Sequence, residues 1–401
     1  MNSIRLDHPA LVLGLTESGL GAIRSLGRYG VKVFGMDYIK NLGFHSKYSE
    51  NFICPHPLKS NEEFIKFLLN FRNKVRFNPV VIIGDDAFYE GILSGFEKLK
   101  DNYLFNYSEM KTAVDIISKK NQIMFADKAG LQTPGTYFVT RENYTENDLQ
   151  IDNFPVFVRG LNSSHWRNRY GGTIKGFKAE SLDELHKIVA DAKASKLELV
   201  IQEIIPGAPK NNYEIGCYIS KTGLDTFFLT MRKIRQYPLE FGVGCSVFTF
   251  YNPEVQKLSE QFLKHINYRG LANIEFKFDA RDGKYKFIEI NPRLWMQSEL
   301  ATMAGINFSL IQFLDLTDQL DEVSHDYSDG IKWINIYSDV KAFMRLRKES
   351  EIGIFSWLAE VFKKSMLSDF ARDDLGPFLS EIEYGKVLLK SYKLFLSNKY
   401  N

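Results

Sequence analysis

Nowhere in this chain do two cysteines lie close enough to share a metal or frame a redox motif. Only three occur in 401 residues, Cys54, Cys217 and Cys245. That excludes a cysteine-built zinc site and reads as reduced thiols of a cytoplasmic protein. Long apolar runs are also missing: no stretch approaches the roughly 20 residues of a membrane helix. Asp7, His8 and Pro9 precede only the short run Ala10 to Leu15, which does not read as a secretory signal. Charge of one sign is scarce. A net +2 gives no general pull towards nucleic acid. Seven scattered histidines supply no obvious catalytic triad. What is present, 44% hydrophobic and 25% charged residues, describes a globular protein of two or three domains. No internal repeat or low-complexity linker interrupts it.

The chain opens as a βαβ unit. Ala10-Leu-Val-Leu-Gly14 reads as a buried strand, Ala22 to Tyr29 as a helix closed by Gly30, and Val31 to Met36 as a second strand ending at Asp37. Such a unit implies a parallel sheet. The intervening Gly14, Gly19 and Gly21 depart from G-x-G-x-x-G, so they serve either a nucleotide or only a tight turn. Pro79 to Gly84 is another buried strand, ending in Asp85 and Asp86. Carboxylates there either face a ligand, an ammonium group for example, or cap a helix. Further on, a helix is expected over Ser118 to Ala129, strands over Val156 to Val158 and Leu199 to Ile205, and a helix over Leu182 to Lys193. A β-rich section follows from Tyr213 to Phe250, then a helix over Pro253 to Ile266.

The most informative stretch runs from Asn273 to Asn291. Both arms, Asn273 to Asp279 and Lys284 to Asn291, alternate in period two around Ala280-Arg-Asp-Gly283. A three-residue loop ending at Gly283 sets Ala280 against Lys284. The register then pairs Ile274 with Ile290, Phe276 with Ile288, and Glu275 with Glu289, because a one-residue slip would set apolar side chains against acids. Glu275, Glu289 and Asn291, with Asn273 beside them, thus share one face. Facing carboxylates repel by roughly 0.2–1 kcal/mol, and hard oxygen donors suit Mg²⁺. A solvated face with incidental acids is the other reading.

Phe287-Ile-Glu289-Ile-Asn291-Pro-Arg293, with Glu275 upstream, resembles the metal-binding signature of the ATP-grasp superfamily. Over residues 10 to 315 the chain looks closest to carboxylate–amine ligases related to biotin carboxylase and D-aspartate ligase. The resemblance implies an α/β and α+β architecture. An N-terminal parallel-sheet, Rossmann-like domain (1–117) precedes a two-lobed ATP-grasp domain (118–320, with a lid of about 135–203) and a mostly helical extension (321–401). It implies ATP and one or two Mg²⁺ ions, with Mn²⁺ as a substitute, the metal held by Glu275, Glu289 and Asn291.

Other segments fall in the family's order. Ser118-Lys119-Lys120 resembles the segment whose lysine touches phosphate, Lys120 being the better match and Lys119 the alternative. Phe154 to Arg159 resembles the strand bearing a second phosphate-binding lysine, here Arg159, which keeps the charge but is not a compact one. The loop Leu161 to Gly172 stands where the family covers the phosphates, with Arg167 and Arg169 as contacts or as exposed basic residues. Glu203 and Ile205 match positions whose backbone meets adenine. Arg232 and Arg235, on a strand before a glycine-rich turn, and Arg293 are candidates for holding an acyl phosphate or substrate carboxylate; a charged edge strand is the alternative for the first two.

These resemblances imply an ADP-forming carbon–nitrogen ligase that acts through an acyl phosphate on small carboxylate and amine substrates, an amino acid or cell-envelope precursor among them. After Arg293 the chain reads Leu294-Trp295-Met296-Gln297, and the absence of a biotin-carrier lysine motif argues against carboxylation. A catalytically weak ATP sensor or scaffold is a second reading, motivated by Arg159, and a nicotinamide-dependent oxidoreductase a third. A homo-oligomer stays open. Lys386 to Leu396 mixes lysine and apolar residues at helical spacing, which suits either packing on the protein's own body or contact with an anionic membrane surface.

Overall fold

The computed structural model describes residues 5–140, 151, 153–161, 166, 169–171, 174–321, 323–348, 351–363 and 365–383. Three sheets organise it. The first takes four short strands in the order β3-β2-β1-β4, all parallel: β1 (Ala10–Leu13), β2 (Val33–Asp37), β3 (Ser49–Ile53) and β4 (Val80–Ile83). β1 and β4 are buried at every residue, as expected of strands covered on both faces. Helices α1 (Glu17–Gly27), α2 (Asn61–Arg72) and α3 (Asp86–Ser94) connect and cover them.

The glycines after β1 have a packing explanation. Gly14 has φ +84°, and a Cβ on Gly19 would lie 2.0 Å from the Gly14 carbonyl oxygen. The Leu15 amide donates to Asp37 at the end of β2 (2.7 Å). The turn is therefore closed by the protein's own carboxylate, which a nucleotide phosphate would have to face. Asp85 caps α3 by accepting from the Ala87 amide (2.9 Å).

After α4 (Lys119–Lys128, capped by Ser118) comes a second sheet, ordered β5-β8-β6-β7. Its strands are β5 (Thr136–Val139), β6 (Val156–Gly160), β7 (Phe177–Ala179) and β8 (Leu199–Glu203). Val156, Val158, Leu199 and Ile201 form a small core with Leu185 and Val189 of α5 (Leu182–Ala194). Phe157 and Arg159 alternate to the opposite face.

The third sheet has seven strands, ordered β13-β12-β9-β10-β11-β14-β15. β9 is Asn212–Ile219, β10 Thr226–Tyr237 and β11 Val243–Thr249; α6 (Pro253–His265) intervenes before β12 (Gly270–Asp279) and β13 (Lys284–Asn291). One face packs Ile215, Ile274, Phe276, Phe287 and Ile290 against α4 and α6. The other face packs Tyr218, Leu229 and Leu271 against α7 (Ser298–Ala304) and α8 (Phe308–Leu316), joining the N-terminal sheet in one core.

The C-terminal stretch contributes two strands as well as helices. β14 (Lys332–Ile334) pairs with β11 and β15 (Ser365–Leu367) with β14, around α9 (Ile336–Lys348) and α10 (Ile354–Phe362). Residues 368–383 then return to α1. Here Glu17, Asp369 and Glu381 all carry raised pKa values, burial being the main cause; the charges of Glu381 and Asp369 add to it at Glu17, and that of Asp369 at Glu381. Each carboxyl binds its proton more tightly folded than unfolded. Stability from these groups is therefore complete at acid pH and declines as pH rises above their ordinary values, 3.8 for the aspartate and 4.5 for the glutamates. Glu17→Gln is expected to flatten that decline, read as urea midpoints across a pH series; an unchanged slope would assign it elsewhere.

Candidate active site in the cleft

The hairpin β12–β13 carries the central pair. Glu275 stands directly across from Glu289, and Asn273 across from Asn291. The route to that pairing differs from the expected one. Asp279, not Ala280, faces Lys284, so the loop has four residues, with Gly283 at φ +71°. A register shift follows between Glu275 and Phe276, where Phe276 pairs with Phe287 and Ile288 is the extra residue. The cause is core packing. The rings of Phe276 and Phe287 meet edge-on at 5.9 Å, and both are buried. The bulge lets Phe287 and Ile290 both face the core while Glu289 faces the cleft.

Cations converge on these acids. Gln122 of α4 exchanges two hydrogen bonds with the Ile290 backbone (2.9 and 3.3 Å), which fixes the helix against β13. Lys119, one turn earlier on the same face, then donates to Glu289 Oε2 at 2.6 Å. From the second sheet, Arg159 brings Nη1 to 3.9 Å from the same oxygen. Burial alone would raise the Glu289 pKa, but Lys119 and Arg159 overcome it and hold the carboxyl well below its usual range. Asn291 Nδ2 lies 3.4 Å from Glu289 Oε1.

Two residues of the site were not singled out from the sequence. Glu214 on β9 pairs across from Glu275, extending the acidic row to three strands. Lys233 on β10 is buried and bridges Glu214 and Glu275, with Nζ 3.2 Å from each. Burial pushes the Glu214 carboxyl up to about 7 against the pull of Lys233. Burial works against the Lys233 charge too, yet the two glutamates raise its pKa. Lys233 was visible only as one of three cations on a strand, between two arginines that looked better suited to anions.

Several expected contacts lie elsewhere. Lys120 sits about a quarter-turn from Lys119 on α4, and its ammonium lies 5.9 Å from the Phe138 ring centre instead of at the acids. Arg232 alternates to the opposite side of β10 from Lys233, donates to the Lys210 carbonyl and packs over Tyr213 and Phe250. Arg235 is buried in ion pairs with Asp339 (2.7 Å) and Glu360, so it anchors α9 and α10. Arg293 turns its fork onto Asp86, with Nη2 at 3.1 Å, which also engages the acid considered for an ammonium group. Arg169 pairs with Asp191 of α5 (2.9 Å) at the surface. Arg167 lies outside the described residues, as does the segment Lys386 to Leu396. Glu203 accepts from Arg281 (2.6 Å) and from the Gly135 amide (3.1 Å), while Ile205 is buried.

Between the second sheet and the loop after β10 lies a cavity of about 560 Å³, lined in part by Phe157, Lys175, Lys178, Phe241 and Arg345. A parallel first sheet, a small antiparallel second sheet and a large third one, antiparallel except where β15 joins β14, thus frame a cleft where Lys119 and Arg159 meet Glu289 and Lys233 meets Glu275. The family model described as Carbamoyl-phosphate synthase L chain, ATP binding domain, matches residues 251–313, from α6 through Arg293 into α8. The ADP complex of purK, an N5-carboxyaminoimidazole ribonucleotide synthetase, superposes with TM-score 0.63 at 15% identity, covering 87% of each chain. The chain has an ATP-grasp fold. L-amino acid ligase from Bacillus licheniformis shares the fold with TM-score 0.60 at 14% identity, over 82% of this chain and 79% of that one. In sequence, the chain is 26% identical to D-aspartate ligase of Enterococcus faecium (strain Aus0004) over 239 residues, which is 57% of this chain and 56% of that ligase. The similarity thus spans little more than half the length of that relative.

The two neighbouring lysines give a direct test. Lys119→Ala is expected to raise the KM for ATP roughly tenfold or more, on the order of one lost charge-assisted contact. Lys120→Ala should change it by less than about threefold, since its neighbour is an aromatic ring. Steady-state kinetics on both variants decides, and the reverse ranking would return the phosphate role to Lys120.

Proposed function

We propose that this ATP-grasp protein is an ADP-forming ligase that activates a carboxylate with ATP and joins it to an amine, with an amino acid as one substrate. One observation carries the reading: Glu275 and Glu289 face each other at the cleft floor while Lys119, Arg159 and Lys233 reach them from three other elements. Two of the similar proteins named above are ligases of amino acids by their names.

The donor set fits Mg²⁺. Glu275, Glu289 and Asn291 offer hard oxygens on one hairpin face; the buried Asn273 Nδ2 beside them has no hydrogen-bond partner and, as a donor, suits a phosphate or substrate oxygen instead of the metal. When bound, Mg²⁺ supplies charge neutralisation on the phosphates. Lys119 and Arg159, which meet Glu289 from α4 and β6, would hold the transferring phosphate. Lys233, kept charged by Glu214 and Glu275, orients the substrate carboxylate and then the acyl phosphate. The amine attacks the acyl carbon and phosphate leaves, so the protein contributes position and electrostatics instead of a nucleophile.

Purified protein with ATP, Mg²⁺ and a panel of amino acids and amines should release phosphate, with new amide products visible by mass spectrometry. ATP binding without turnover on a wide panel would favour the sensor reading that Arg159 motivates.

A further inference from the structure

α10 is an unusual surface helix. Its inner side is fixed: Trp357 stacks on Phe343 of α9 at 4.5 Å and donates to Asp339 (2.8 Å), and Glu360 pairs with Arg235. Its outer side carries Phe355, Ala359 and Phe362 at helical spacing i, i+4 and i+7. Phe355 is 84% exposed and Phe362 80%, and Ile354 adds to the same surface. Arg347 and Lys348 end α9 exposed, with Met344 exposed one turn before them, and exposed Lys363 follows Phe362. Two acids stand between the helices in sequence: Glu351, which is exposed, and Glu349, which lies outside the described residues.

An exposed apolar stripe flanked in sequence by Arg347, Lys348 and Lys363, which outnumber Glu349 and Glu351, suits a partner with an apolar interior and an anionic surface. We propose that α10, with the basic end of α9, is a docking surface for an anionic lipid bilayer, the apolar stripe entering the headgroup region and the cations facing lipid phosphates. This is a different surface from the lysine-rich segment near the C-terminus and stands independently of the ligase reading.

Charge decides among occupants. Residues 384–401 carry Lys386, Lys390, Lys393 and Lys399 and no Asp or Glu. Laid on this stripe they would set cations against cations. A second copy related by a twofold axis would also bring like charges together, since an isologous contact meets itself. A lipid surface offers the opposite sign and an apolar layer beneath it. The placement has a geometric consequence for the cleft: Arg345, on α9, lines the cavity beside the second sheet, so docking would hold that cavity within one helix of the bilayer.

The test is co-sedimentation of the full chain with vesicles of phosphatidylcholine alone and of phosphatidylcholine mixed equally with phosphatidylglycerol. Binding is expected on the mixed vesicles at low salt, with release at high salt and little binding to phosphatidylcholine alone. The double substitution Phe355→Ser with Phe362→Ser should lower partitioning about tenfold or more, from the apolar area no longer buried. Arg347→Glu with Lys348→Glu should lower it on the anionic vesicles. All four positions are exposed, and circular dichroism will check that the fold persists. Unaltered partitioning of the Phe355→Ser/Phe362→Ser variant would overturn the proposal, as would equal binding to both vesicles. So would a dimer in sedimentation velocity that this variant dissolves, because a second copy would then cover the stripe.

Discussion

Glu289→Gln is expected to lower ATP turnover by about 10²–10³-fold, the order found when one group that stabilises transferring charge is removed. The substitution keeps the side chain's shape, so the bulge and the Phe276–Phe287 contact should survive. What changes is charge at the point where Lys119 and Arg159 converge. Lys119 would lose the anion that holds it 2.6 Å away, and the metal would lose a carboxylate donor. The readout is phosphate release across a Mg²⁺ titration. A rise in the Mg²⁺ concentration needed for half-maximal rate, together with a lower maximal rate, locates the defect at the metal. A variant with unchanged rate and unchanged Mg²⁺ response would remove the basis for the catalytic reading. Glu214→Gln provides a contrast: Glu214 is an acid of the same row, but it is buried and its ion pair is with Lys233. Its substitution should act mainly on the KM for the carboxylate substrate and leave the Mg²⁺ response near that of the parent.

The acid pair was legible because side-chain alternation is a strong constraint, even where the loop was misjudged. Counting from a three-residue loop puts the strands one residue out, and the bulge at Ile288 shifts them back, so Glu275 still meets Glu289. Each departure alone would have separated them; the apolar residues on both arms tolerate only registers that keep the acids out of the core. The parallel first sheet was legible for a similar reason, in that β1 and β4 are short, wholly apolar and end at turn residues. The choice between Lys119 and Lys120 was not legible. It depends on the rotational setting of α4, which Gln122 fixes through the Ile290 backbone 168 residues away. Lys233 was hidden in the same way. Its neighbour Arg235 looks like an anion-binding residue until Asp339 and Glu360, more than a hundred residues later, are folded onto it. Periodicity reports which face a residue occupies, but the partner on that face comes from distant sequence.

Arg24→Met is expected to destabilise the protein by about 3–5 kcal/mol, the cost of removing one partner from a buried ion pair. Arg24 lies on α1 and is fully buried. Its guanidinium donates to Asp374 Oδ2 (3.0 Å), to Glu299 Oε2 (3.1 Å) and to the Asp369 carbonyl (2.8 Å). Asp374 is only 2% exposed and also accepts from Ser46 and the Lys47 amide, so without Arg24 it keeps polar contacts but no cation. Glu299 would retain Arg28 at 3.0 Å. The uncompensated charge thus falls mainly on Asp374, and the element released is the segment after β15, not α7. Two measurements separate this from a general loss of packing. Urea midpoints should fall, and limited proteolysis should cut between β15 and residue 383 before it cuts the seven-stranded sheet. Adding Asp374→Asn to Arg24→Met should recover part of the loss, because the second change removes the charge that the first leaves unpaired. If the double variant is instead less stable than Arg24→Met by the full effect of Asp374→Asn alone, Arg24 acts through its other contacts, and the C-terminal segment is held by packing on α1.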